Sequence, residues 1–410
     1  MTTAPAVPDV ATIQRRTLRV LGAAQVLGGL GVGAAISVGG LIAEDVSGST
    51  SLSGLAQTAT VLGAAVAALP MSRYMSTAGR RPGLVGGYVG ALLGAALVIT
   101  GTVVESFLLV LVGAFLQGCG TATNMQSRYA AADLALPEHR GRALSTIVWA
   151  ATVGVVLGPN LTGPGADVAR RVDLPVLAGP VLFSVAAYVV AGLILHVGLR
   201  PDPLLTAHSV SSGGPPARAS LRTSMRSISA APPAVLALVA IATAHTVMVS
   251  VMVMTPVHMR QEEATLTVIG VVISAHVAGM YALSPVVGWL TDRLGRVPML
   301  LLGQLVLAVA VAVAGLSGSP ELLGVGLALL GVGWSFSLIA GSTLLSESVD
   351  VAVRAGVQGA SDFVMGMSGA VGGALAGVVM GVAGFGWLTA LAGALIVPAV
   401  LLGGRRRVAA

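Results

Sequence analysis

Runs of apolar residues long enough to cross a bilayer recur along the whole chain, at 18–43, 52–71, 83–101, 106–130, 142–163, 176–198, 233–257, 265–290, 297–316, 321–344, 356–382 and 385–403. In hydrocarbon the α-helix is the only open-chain structure that satisfies every backbone group, so each run predicts a transmembrane helix. The chain is therefore expected to be an all-α membrane protein with twelve spans. Composition agrees: 55% of residues are hydrophobic, 9% are charged and the mean hydropathy is +0.92, far from a soluble domain. The first run follows Arg15, Arg16 and Arg19 but lacks an Ala-x-Ala type cleavage site, and it is longer than a signal-peptide core. It reads as a retained helix.

The net charge of +6 arises without lysine, since all 22 basic residues are arginines. Most of them fall in the N-terminus, in alternate loops and at the C-terminus, while Arg170, Arg171 and Arg260 fall on the other side. By the positive-inside rule both termini are cytoplasmic, which requires an even number of spans. The expectation is a multi-pass plasma-membrane protein, monomeric, with the lipid bilayer as its surroundings and no nucleic-acid partner. The single cysteine, Cys119, excludes an internal disulfide and a CxxC metal site. It reads as a buried inert thiol.

A polar Pro/Ser/Gly-rich stretch around Ser211-Ser212-Gly213-Gly214-Pro215-Pro216 divides the chain into 1–199, a linker at 200–232, and 233–410. Each flanking part holds six runs, and the two look like distant copies. Gly79-Arg80-Arg81-Pro82 after the second run matches Gly295-Arg296-Val297-Pro298 after the eighth, at an offset of 216. The fuller copy, Gly288-Trp289-Leu290-Thr291-Asp292-Arg293-Leu294-Gly295-Arg296, resembles the loop signature of the major facilitator superfamily. The resemblance implies two six-helix repeats, a central site between them and transport by alternating access. Gly288, Asp292, Arg293, Gly295 and Arg296 become a candidate cytoplasmic latch in which Asp292 pairs with arginines as the halves rock. Their plainer reading is topology and helix capping. In the first copy the equivalents of Asp292 and Arg293 are Ser76 and Thr77, so such a latch is asymmetric. Gly154-x-x-x-Gly158-Pro159-x-x-Thr162-Gly163 partly resembles the glycine-proline motif of antiporters, whereas the arginine position of proton-coupled drug exporters is Ala114.

Between residues 245 and 280 lie five of the fourteen methionines, Met248, Met252, Met254, Met259 and Met280, and three of the six histidines, His245, His258 and His276. Thioethers and imidazoles form a soft ligand set that selects Cu(I) over hard cations. His245, Met248 and Met252 share one helix face, as do His276 and Met280. Antiparallel packing of the seventh and eighth spans is expected to bring Met248 toward His276 and His245 toward Met280, with Met254 leading outward. The competing reading is that methionine fills apolar cores. At offset 216 the first-half equivalents of Met248, Met252, His276 and Met280 are Val32, Ile36, Thr60 and Ala64.

Met248-x-x-x-Met252 followed by His276-x-x-x-Met280 resembles the paired motifs of the CcoA-like copper importers, a branch that also contains riboflavin transporters. Gly331-Val332-Gly333-Trp334-Ser335-Phe336, Thr343-Leu344-Leu345 and Ser361-Asp362-Phe363 resemble further segments of that branch, with Ser335 and Ser361 in place of asparagines. The resemblance implies that Met248, Met252, His276 and Met280 handle copper, as substrate and not as cofactor. No cofactor is expected. The alternative is a small organic solute, by riboflavin-like uptake or drug efflux, relying on Trp334, Tyr281 and Asp362. Asp362 lies inside the eleventh run, as a proton-coupling group or as partner of an arginine such as Arg354. Gln25, Gln57, Gln117 and Asn124 either line the cavity or bridge helices. No nucleophile, base and orienter assemble from intramembrane residues, so an enzyme is not expected.

Overall fold

The computed structural model describes residues 10–49, 52, 54–210, 220–263 and 266–407. The Pro/Ser/Gly part of the linker, 211–219, lies outside them. The elements are α1 (Val10–Ser47), α2 (Gly54–Ala78), α3 (Arg80–Val103), α4 (Phe107–Ala132), α5 (Arg140–Leu157), α6 (Thr162–Arg171), α7 (Gly179–Gly198), α8 (Pro203–Val210), α9 (Leu221–Ala230), α10 (Pro232–Gln261), α11 (Leu266–Tyr281), α12 (Ser284–Leu294), α13 (Arg296–Gly315), α14 (Pro320–Glu347), α15 (Val351–Ala394) and α16 (Val397–Arg407). Among the described residues there is no strand.

Among the described residues ten helices are long and apolar enough to span a membrane. An eleventh span is a bent pair, α5 with α6, turned by 58° at the break that holds Gly158 and Pro159. Proline lacks the N–H that would continue the helix, which accounts for the bend. The twelfth lies within α15 and α16, where the chain reverses at Gly384. Its φ of +83° is open to glycine and strained for other residues. Beyond it Gly393 packs on Val311 and Gly403 on Leu301, so this last leg runs antiparallel to α13. The eighth span is likewise divided, into α11 and α12, with Pro285 opening the second piece. Leucines and valines such as Leu93, Leu108, Leu193, Val197 and Leu305 stay exposed around the outside, as a lipid-facing belt requires. The described parts of the linker on either side of 211–219 carry two helices, α8 and α9. Ser220 and Thr223 form a capping box that starts α9, and His208 Nε2 on α8 bonds Val351 O at 2.9 Å.

The 216-residue repeat is visible in hydrogen bonds. Tyr88 Oη donates to Ala24 O at 3.2 Å, and Gln304 Nε2, 216 positions on, donates to Ala240 O at 3.2 Å. Gly79 and Gly295 share positive φ, +94° and +96°. Each is followed by an arginine that clamps an acid at the end of the fourth helix of its repeat. Arg80 bonds Asp133 at 2.7 and 3.1 Å, and Arg296 bonds Glu347 at 3.0 and 2.9 Å.

Candidate functional site

Both repeat arginines also reach across the molecule. Arg80 Nη2 donates to Gln358 Oε1 on α15 at 2.5 Å, and Arg296 Nη2 donates to Pro137 O before α5. Between them Asp292, on α12, accepts from the backbone N–H groups of Gly141 and Arg142 at 2.8 and 2.9 Å. Those amides open α5, where the helix dipole favours a carboxylate. The latch expected from sequence therefore closes chiefly on a helix N-terminus. Arg142 and Arg296 stand at 3.7 Å from the carboxylate, and Arg293 instead lies over the Trp289 ring at 5.2 Å. Gly288 lets α12 and α5 approach: a Cβ there would fall 2.0 Å from Ser145 Oγ and 2.6 Å from Gly141 O. Gly359 does the same for α15 against Ser72 of α2. The arginine-rich face is thus closed along two seams. Toward the opposite face the α2–α15 seam continues to Ala65 and Gly366, beyond which Gly377 and Gly381 of α15 would meet nothing within 4 Å.

Deeper in the same contact lies a group that sequence reading did not place. Arg128 on α4 donates through Nη2 to Asp362 Oδ1 on α15 at 2.5 Å, and both side chains are almost fully buried. Gln126 Nε2 donates to Asp362 Oδ2 at 3.0 Å, Tyr129 Oη to Oδ1 at 3.4 Å, and Arg128 Nε to Ser342 Oγ at 3.3 Å. The partner of Asp362 is therefore Arg128 and not Arg354, whose Nε is buried without a bond. Arg128 sits two residues from the end of the fourth run, where the positive-inside pattern alone reads it as a loop charge. The signal lay in Tyr129-Ala130-Ala131-Ala132, which carries α4 another turn and draws the guanidinium inside.

The Met/His set is distributed differently from the expected hairpin. α10 and α11 touch little, and α11 packs on α14 instead. The reason is small residues: a Cβ on Gly279 would lie 2.3 Å from Ala328 O, and one on Gly331 2.3 Å from His276 O. His245 faces Trp334, whose Nε1–H donates to its Nδ1 at 3.2 Å, and it backs onto Gly369 of α15. His276 is fully buried, with Nδ1 2.8 Å from Leu327 O. That bond places the proton on Nδ1 and leaves the Nε2 lone pair, which has no partner. Met248, Met259 and Met280 belong to one apolar core with Met365 and Met380, and Met254 packs against it. Met252 is half-buried. Trp334 is sealed in that core, with Tyr281 edge-on at 5.9 Å.

The corresponding place in the first repeat is a small cleft. Val32, Ile36 and Thr60, the equivalents of Met248, Met252 and His276, line it together with Gln57, Gln117 and Tyr188, and its space of about 20 Å³ has room for one water molecule. Gln25 and Asn124 are bridging groups: Gln25 Nε2 donates to Asn124 O at 3.3 Å and Tyr88 Oη lies 2.9 Å from Asn124 Oδ1. Cys119 is half-buried with a free thiol.

A fold of paired six-helix repeats, closed at one face by charge-capped helix ends and by a buried ion pair, is that of a membrane transporter. The chain belongs to the major facilitator superfamily, whose family model matches residues 21–266 and 236–408. It is 38% identical over 397 residues to the uncharacterized MFS-type transporter YdeG of Bacillus subtilis, covering 95% of this chain and 92% of that one. It is 29% identical over 368 residues to the riboflavin transporter RfnT of Brucella anthropi, covering 87% and 86%. In fold it is similar to the human organic anion transporter MFSD10, with a TM-score of 0.75 at 17% identity over 95% of this chain and 99% of that one. A bacterial homologue of the iron transporter ferroportin in its outward-facing state matches with a TM-score of 0.74 at 14% identity, covering 96% and 98%.

Proposed function

We propose that this transporter carries a small uncharged organic solute of the riboflavin type into the cell by alternating access, with the arginine-rich face cytoplasmic and closed. The observation that carries the choice of an organic solute is the use made of the Met/His set. Met248 and Met280 are core residues, and the Nδ1 lone pair of His245 is taken by Trp334. The 29% identity to a riboflavin transporter supports the same reading. Asp362 and Arg128 form the switch of the cycle. They join spans from the two repeats only while the cytoplasmic face is shut, and protonation of Asp362 releases Arg128.

Copper import is the second reading, favoured by one observation. His276 keeps a buried, unpartnered Nε2 lone pair while its Nδ1–H is held by a carbonyl, the arrangement that orients imidazole ligands at metal sites. Uptake of radioactive riboflavin and of radioactive copper into cells expressing the chain separates the two. The expected result is riboflavin accumulation above the empty-vector control, unchanged in His276→Ala, with copper at the control level. Copper accumulation that is lost in His276→Ala, without riboflavin uptake, reverses the assignment.

A further inference from the structure

We infer that the closed arginine-rich face holds a small inorganic anion, chloride, and that Arg354 in the first turns of α15 is its chief ligand. The inference stands whichever solute is carried. Arg354 is 6% exposed, its Nε is fully buried, and among the described residues its guanidinium makes neither a hydrogen bond nor an ion pair. The acids whose charge is felt at Arg354 are Asp133 and Glu347, and both are already engaged. Asp133 accepts from Arg80 at 2.7 and 3.1 Å, and Glu347 accepts from Arg296 at 3.0 and 2.9 Å with Arg140 at 3.5 Å. Asp350, just before α15, is exposed and forms no ion pair with Arg354. The guanidinium groups of Arg80, Arg140, Arg296 and Arg354 thus share two carboxylates, and Arg140 Nε is likewise buried without a bond.

A guanidinium at such burial is strongly unfavourable unless an opposite charge meets it. The helix adds to the demand. Arg354 stands one turn inside the N-terminus of α15, the end whose dipole is already positive and draws anions. Arg354 and Gln358 are spaced i, i+4 and share one face of α15, and Gln358 Oε1 accepts from Arg80 Nη2 at 2.5 Å, so that face is turned toward the arginines of the first repeat. Arg80 and Gln358 are fully buried and Asp133 nearly so, a tightness that favours a monatomic anion over tetrahedral phosphate. Because Arg354 belongs to the second repeat while Arg80 and Arg140 belong to the first, the site is complete only with the face closed. An anion that binds one state alone shifts the population toward that state, so chloride holds the face shut.

The test is thermal unfolding of the purified full chain in lipid nanodiscs, in sodium chloride and in sodium gluconate of the same ionic strength, for wild type and Arg354→Leu. Gluconate is too bulky for the seal, and the matched ionic strength removes general screening. The expected result for wild type is a midpoint about 3 °C or more higher in chloride, with a rise that saturates. The Arg354→Leu midpoint should not respond to chloride, and in gluconate it should equal or exceed that of wild type, because an unpaired buried charge is gone. Equal wild-type midpoints in the two salts, or a chloride response retained in Arg354→Leu, overturn the site. A midpoint raised by sodium phosphate and not by chloride overturns chloride as the ligand. Should Arg354→Leu fail to fold, wild-type crystals grown in bromide decide the matter. An anomalous-scattering peak beside the Arg354 guanidinium supports the site, and its absence overturns it.

Discussion

Asp362→Ala is expected to abolish transport and to destabilise the closed protein by about 3–5 kcal/mol, the usual cost of leaving one member of a buried ion pair without its partner. Arg128 would remain buried against Tyr129, with its ring-stacked guanidinium 4.3 Å from the phenol centroid but no acid to meet. Replacing both members, Arg128→Leu with Asp362→Leu, is expected to recover most of that stability, because two apolar residues carry no uncompensated charge. Transport should stay absent in the double variant. Thermal unfolding in detergent and riboflavin counterflow in proteoliposomes read the two effects separately. A double variant that transports would remove the pair from the cycle and leave it a structural contact.

Gly288→Val is expected to hold the arginine-rich face open and to reduce transport at least tenfold. The added side chain would enter the space of Ser145 Oγ and of the Gly141 carbonyl, and the second of these is backbone that a rotamer change does not move. Separation of α12 from α5 also pulls Asp292 off the amides of Gly141 and Arg142. Ser145 is buried in the closed state. A Ser145→Cys reporter in a Cys119→Ser background should therefore resist a membrane-impermeant maleimide added from that face, and become reactive once Gly288→Val is introduced. Equal protection in both backgrounds would show that the α5–α12 contact does not set closure.

Much of the architecture is legible in the sequence because hydrocarbon imposes so few options. Apolar runs fix the spans, and the 216-residue repeat carries through to Gly79 and Gly295 with the same backbone conformation. What fails is neighbourhood. Consecutive spans in this fold need not pack together, so the hairpin expected of the seventh and eighth spans gives way to close packing of α11 on α14. Gly279 and Gly331 carried that information as small residues at two facing positions, which a search for ligand spacing passes over. Asp362 was recognisable as a costly intramembrane charge, yet its partner was not, since Arg128 sits at the edge of an apolar run and only the extra turn of α4 buries it. Among the glutamines, sequence gave no means of telling Gln25, spent on Asn124, from Gln117, left free at the cleft.

Closure of the arginine-rich face by the Arg128–Asp362 pair is tested most directly by a distance measurement across that face. Spin labels at Leu136 and Leu294, both exposed at the ends of the closing segments, would report it by double electron–electron resonance in nanodiscs. A short distance is expected in wild type, with a second and longer population in Asp362→Asn and a shift between the two on adding riboflavin. A single distance that neither Asp362→Asn nor riboflavin alters would contradict closure by the pair.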